Sequence, residues 1–274
     1  MTNLLHLKTQ NALPDYLKRH GKGKLSLRAG VGESIIEDIL AGRMCEDHLL
    51  RQVYKALKID LMDGVYLTSD LKIGQNAANY ATQRKLCIGL TADTGMGKTM
   101  VAQLLTKRDE TYLYTIEECT SPRVFLKGLL VNMRVWFEGS AHAMLHKVAE
   151  KLCSLEEPLL VIDECSKLSN RMILCLHDLR NLTERKCGML LMGMPRFKNN
   201  LINGRMAGKL GYSEFYRRIN IWEELKGLDT KEIVYILEQN GIEDKELQKE
   251  FKKLNSIGDL MNKINLYKAL NEQP

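Results

Sequence analysis

The stretch LTADTGMGKTMVAQLL, residues 90–105, constrains the fold of this chain more than any other part of it. An apolar run leads into small and turn-forming residues, then Gly97-Lys98-Thr99, then apolar residues at helical spacing. Residues 92–99 fit the phosphate-loop pattern, with Ala92 in place of its first glycine. Gly95 and Gly97 let the backbone curl so that successive N–H groups point at an anion. Lys98 supplies a cation to the outer phosphates and Thr99 a hydroxyl for magnesium. The helix opening near Gly97 adds the positive end of its dipole. The expected nucleotide contacts are Asp93, Thr94, Gly95, Met96, Gly97, Lys98, Thr99 and Met100. The context agrees, because KLCIGLTA reads as a strand and TMVAQLLTKR as a helix.

From Leu86 to about Leu225 short apolar runs alternate with helical patterns. The runs are KLCIGLTA, TYLYTIEE, PLLVIDE, GMLLMGM and INIWEEL. Strands of this length separated by helices predict an α/β fold with a parallel sheet and crossover helices. The third run ends in Asp163-Glu164, about 65 residues after the phosphate loop. An acid pair there suits two tasks: Asp163 holds magnesium through water, and Glu164 polarises an attacking water. Residues 1–63 read as short helices and 64–84 as a mixed, polar linker. Residues 85–228 form the α/β core and 229–274 three further helices, the first stopped at Gly241.

No run approaches the roughly 18 apolar residues of a membrane span. The N-terminus lacks the features of a signal peptide, which predicts a cytoplasmic protein without a membrane partner. Seven cysteines, with no Cys-x-x-Cys pair, argue against a disulfide framework and a zinc site. His142 and His146 are four apart but lack further ligands. The net charge of +6 permits a polyanionic partner. Between Arg196 and Arg218 six basic residues face one acid, Glu214. Interspersed Asn and Gly predict a flexible loop there. Arg196, Lys198, Arg205 and Lys209 are candidates for DNA-backbone contacts, with Arg123 and Lys127 as a second group.

The Asp163-Glu164 pair, the strand CGMLLMGMP, the basic GYSEFYRRINIWEEL and the helical C-terminus together resemble the AAA+ ATPases, over about Lys85 to Ala269. The resemblance implies a P-loop core with a five-stranded parallel sheet, a C-terminal helical lid, and ATP with Mg2+ bound where subunits meet. It also implies an arginine from the neighbouring subunit that completes the catalytic site beside Glu164. By position this is Arg217 or Arg218. Two positions depart from the pattern: Met194 stands where a polar γ-phosphate sensor is expected, with Asn199 further along, and Met261 stands where a lid arginine is expected. Slow hydrolysis, dependent on assembly or a partner, follows as an expectation.

The stretch from Lys24 to Ile59 resembles a repressor-like helix-turn-helix, with Ala29-Gly30-Val31 as the turn and Glu33–Leu40 as the second helix. Glu33, Glu37 and Asp38 on that helix disfavour base reading. Such a module ahead of a compact core with YTIEECTSPRVFLKGLLVNM and LHDLRNLTERKCGMLLMGMP resembles the ATPase regulators of DNA transposition, the Mu B group. That implies self-association into a helical filament or ring on duplex DNA, without sequence preference, and delivery of target DNA to a transposase. A helicase loader or replication initiator, and a non-catalytic nucleotide-gated DNA-binding scaffold, are the alternatives.

Overall fold

All five apolar runs form strands: β1 (Cys87–Thr91), β2 (Thr111–Thr115), β3 (Leu159–Asp163), β4 (Gly188–Gly193) and β5 (Ile221–Glu224). They pair in parallel in the order β2-β3-β4-β1-β5. The computed structural model describes residues 6, 9–10, 12–14, 16–18, 21–43, 45–57, 66, 68–242 and 244–271. The chain divides into two units, Met1–Val65 and Tyr66–Pro274. The expected boundary between residues 63 and 64 lies outside the described residues.

In the first unit α1 (Lys22–Ala29), α2 (Glu33–Leu40) and α3 (Asp47–Ala56) enclose Leu13, Leu25, Val31, Ile36, Ile39, Leu50 and Val53. Gly30 takes φ +65°, the left-handed conformation that stops α1. Two acids of α2 are ion-paired, Glu37 with Lys22 and Asp38 with Arg43.

In the second unit β1, β3 and β4 are buried along their whole length, which is why they read as unbroken apolar runs. Thr91 stands opposite Gly193, and Thr115 opposite Asp163, so the strands end level. The loops that follow therefore converge on one edge, where open parallel sheets hold ligands. The helices are α4 (Ser69–Arg84), α5 (Lys98–Leu105), α6 (Pro122–Asn132), α7 (Ala141–Cys153), α8 (Asn170–Leu182), α9 (Pro195–Met206) and α10 (Tyr212–Arg218). Side-chain caps fix several starts: Thr68, Ser121, Ser140 and Ser169 each accept a backbone N–H of the following turn. Phe125, Leu129, Val148, Leu152, Leu176 and Leu179 pack on Leu160, Ile162, Met189 and Leu191. Three more helices, α11 (Thr230–Gln239), α12 (Lys245–Phe251) and α13 (Ile257–Asn271), share a smaller core of Ile233, Ile236, Leu237, Phe251, Leu260 and Ile264.

Two expectations are corrected. The polar linker at 64–84 is largely α4. Its buried face opens with Asp70 and Leu71 and continues with Gly74, Ala77, Ala78 and Ala81, four small residues that let a helix backbone approach the sheet closely. A Cβ on Gly188 of β4 would stand 2.6 Å from the Ala81 carbonyl oxygen. The flexible loop expected within 196–218 is instead the pair α9 and α10, joined by a short turn. Phe197, Leu201 and Gly204 repeat at helical spacing and are buried, and Gly204 has no Cβ because the Tyr212 ring lies against it.

Candidate functional site

The phosphate loop leaves the sheet at Thr91. The Ala92 N–H donates to the Gly193 carbonyl (3.0 Å), and the Leu225 N–H to that of Thr91 (2.9 Å), which ties the loop to β4 and β5. Gly95 and Gly97 hold φ of +80° and +89°, values that side chains with a Cβ disfavour. Lys98 begins α5 and is buried. Its Nζ donates to the carbonyls of Ala92 (2.7 Å) and Asp93 (2.8 Å). Burial pulls its pKa down, against the opposing attraction of Asp163, Glu164 and Asp93. Thr99 is exposed in the same turn.

Asp163 ends β3 with its side chain buried, and burial pushes its pKa up, although the Glu164 N–H (2.8 Å) and the charges of Lys98 and Lys167 act the other way. Both members of the pair are thus costly to keep charged, which is the state an anion plus a cation would relieve. Glu164 adopts φ +59°, a conformation costing a non-glycine residue about 1 kcal/mol or more. It aims a carboxylate that is one-third exposed and lies 3.4 Å from Lys167 Nζ.

Three contacts of this site escaped the sequence reading. Ser166 Oγ accepts the Met194 N–H at 2.7 Å, so the hydroxyl near the end of β4 belongs to Ser166, while Met194 precedes α9 and Asn199 is exposed on it. The start of α13 rests on the loop: the Gly258 N–H donates to the Gly95 carbonyl (2.9 Å), and the Ser256 side chain lies against Gly95. Met261 packs into the α11–α13 core, and Lys263 pairs with Glu250 at 2.9 Å. Asp70 of α4 is buried. It accepts the N–H groups of Lys226 (2.8 Å) and Gly227 (2.7 Å), fixing the turn beside Met96. The only signal for these was a serine two residues after Glu164 and another at the start of α13.

Residues 81–201 match the family described as AAA domain. This stretch is an AAA-type P-loop domain. No curated protein matches the chain. Among solved structures it is similar to the replication initiator DnaA bound to AMPPCP and single-stranded DNA, at 18% identity over 74% of this chain and 62% of that one, with TM-score 0.49. It is also similar to the Walker-type ATPase paby2304 of Pyrococcus abyssi, at 12% identity over 70% and 64%, with TM-score 0.47. The chain therefore spans less than two thirds of the length of either.

Beyond the matched stretch, α10 carries two arginines, one ion-paired and one not. Arg218 pairs with Glu184 at 2.9 Å. Arg217 is exposed and forms no ion pair among the described residues; both arginines, with His177 and Glu214, line a cavity of about 270 Å³. The basic candidates fall into two groups. Lys198 lies over the Trp222 ring (5.4 Å), Arg205 over Tyr216 (5.9 Å) and Lys209 over Tyr212 (5.7 Å), with Arg196 exposed nearby on α9. On α6, Arg123 donates to the Gly139 carbonyl (2.9 Å) and Lys127 stands 3.6 Å from Glu138.

Among the described residues no cluster of three or more His, Cys, Asp and Glu can hold a metal. Thr99 and Asp163 each carry an oxygen, the donor type that magnesium takes alongside phosphate and water. Cys87, Cys165, Cys175 and Cys187 are buried free thiols whose pKa values burial raises, Cys87 to about 12. No described helix is long and apolar enough to cross a membrane.

Proposed function

We propose that the protein binds and hydrolyses ATP with magnesium, and that nucleotide occupancy drives its assembly on duplex DNA. One observation carries this reading: Lys98 and Asp163 are buried beside the phosphate loop, with Glu164 left partly open. Lys98 would exchange the carbonyls of Ala92 and Asp93 for phosphate oxygens, keeping its hydrogen bonds. The glycine backbone of the loop and the α5 N-terminus cradle the remaining oxygens. Thr99 and, through water, Asp163 would hold magnesium, which when bound neutralises phosphate charge. Glu164 orients the attacking water once it releases Lys167. Arg217, free of the carboxylate that occupies Arg218, is the better finger for a neighbouring subunit's site.

Arg196, Lys198, Arg205 and Lys209, with Arg123 and Lys127, would neutralise duplex phosphates without reading bases. Delivery of target DNA to a transposase is the finer role, supported by the sequence resemblance to transposition regulators. A second reading is favoured by Met194 and Met261: a nucleotide-gated scaffold on DNA that does not turn over. ATP binding and hydrolysis, measured with duplex DNA for the native chain and Glu164→Gln, separate the two. A hydrolysing enzyme loses roughly a hundredfold in turnover on that substitution while its ATP affinity holds. ATP binding by both proteins with no phosphate release above background from either leaves the scaffold.

A further inference from the structure

Trp136 is 98% exposed, more than any other large apolar residue described. It lies in the segment 133–140 between α6 and α7. Such exposure usually belongs to a slack loop, but this one is pinned. Val135 and Phe137, on either side, pack against the core of the sheet. The Val135 N–H closes α6 on the Leu130 carbonyl (2.9 Å), and Ser140 caps α7. From α6, Arg123 holds the Gly139 carbonyl at 2.9 Å and Lys127 stands 3.6 Å from Glu138. The backbone at Trp136 cannot withdraw without drawing a neighbour out of the core, which keeps the indole at the surface. Tryptophan is the residue type most concentrated in binding surfaces, and this one is held outward.

Across α6 and this segment three basic residues, Arg123, Lys127 and Arg134, stand against one acid, Glu138. Arg134 is exposed and forms no ion pair among the described residues. Arg123 spends one of its five donors on Gly139. The Lys127–Glu138 pair is exposed at both ends, so it is screened and readily exchanged for a phosphate. Val124 and Val131, seven residues apart and therefore on one stripe of α6, are exposed as well. A rigid, fully exposed ring flanked by cations, with apolar neighbours limited to two valines set two helical turns apart, has the composition of a base-stacking platform. A protein interface instead gathers its apolar contacts into a continuous centre and leaves charge at the rim. Bases within a duplex already stack on one another, so the free π-face such a ring can use is that of an unpaired base.

We propose that the 133–140 segment contacts single-stranded or unpaired DNA, with Trp136 stacked on a base and Arg134, Arg123 and Lys127 holding neighbouring phosphates. This rests on the DNA-binding reading above and adds to it a preference for opened strand. Trp136 and Trp222 are the chain's two tryptophans, and Trp222 packs against Phe197 and Tyr216. Emission that changes on titration and is missing from Trp136→Ala therefore reports Trp136. The full chain is titrated with an oligothymidylate of roughly 16 nucleotides, with a duplex, and with polyglutamate as an acidic polymer lacking bases. The oligothymidylate is expected to quench, and Trp136→Ala to bind it about tenfold more weakly with duplex affinity unchanged. Equal oligothymidylate affinity in both proteins, with duplex binding intact, overturns the role of Trp136 alone. Quenching by polyglutamate as strong as by the oligothymidylate overturns it in favour of an acidic protein partner. A native chain that binds neither DNA overturns the DNA-binding reading itself, and this inference with it.

Discussion

Asp163 shows what the candidate site costs the fold. Its carboxyl is buried, and burial raises its pKa above the ordinary value despite nearby Lys98. The folded state therefore binds a proton more tightly than the unfolded state. The stability gained from that proton is complete below the unfolded pKa near 3.8 and is lost as pH rises through the raised folded value. At neutral pH the burial cost is in full force. Asp163→Asn keeps an oxygen for the Glu164 N–H and carries no charge. Without nucleotide or magnesium it should be more stable than the native chain at pH 7, by on the order of 1 kcal/mol in urea denaturation. The gap should shrink as pH falls toward 4, and magnesium-dependent ATP turnover should drop. Lower stability at pH 7 would mean that Lys98 already offsets the buried charge. The trade is the usual one for a site whose charges await a ligand.

At the scale of elements, what could be read from sequence depended on whether the physics was local. The phosphate loop and the Asp163-Glu164 strand end were legible because their chemistry sits in consecutive residues. β1, β3 and β4 were legible because buried parallel strands are apolar throughout, and the half-exposed β2 and β5 because short β-branched and aromatic runs stand between helical patterns. α4 was not, because a helix that lies this close to a sheet buries glycine and alanine, which carry too little apolar surface to stand out. Asp70 and the turn it holds at 226–227 are distant in sequence, and no periodicity links them. Arg217 and Arg218 are adjacent, so only the position of Glu184 tells them apart. The α4 packing can be tested at Gly188. Alanine there gains up to about 1 kcal/mol from the unfolded state. Its Cβ, however, would meet the backbone of Ala81 and Thr82, with the Ala81 oxygen 2.6 Å away. A helix backbone gives way less easily than a side chain, so overpacking of roughly 1–3 kcal/mol should win. Gly188→Ala is expected to lower the urea midpoint, and an unchanged or higher midpoint would remove α4 from that position.

For the whole molecule, the separation of cis and trans groups makes assembly testable. Glu164 and Lys98 lie at the end of the sheet that holds the phosphate loop, whereas Arg217 is exposed on α10 and pairs with no carboxylate described. If Arg217 serves a neighbour's nucleotide, the contact is heterologous: one face of a subunit meets a different face of the next, and the assembly grows into a ring or filament. Each site then draws on two chains, and two inactive variants can repair one another. Glu164→Gln alone and Arg217→Ala alone should each be nearly silent on duplex DNA. Mixed in equal amounts, about a quarter of the interfaces join an intact Glu164 to an intact Arg217. Turnover of the mixture should approach that fraction of the native rate. The same mixture made with Arg218→Ala should gain nothing, because that variant leaves its Arg217 in place and is not silent to begin with. Activity of the first mixture no greater than the mean of its two parents would return Arg217 to the surface as a solvated charge. The ATP site would then have to be complete within a single chain.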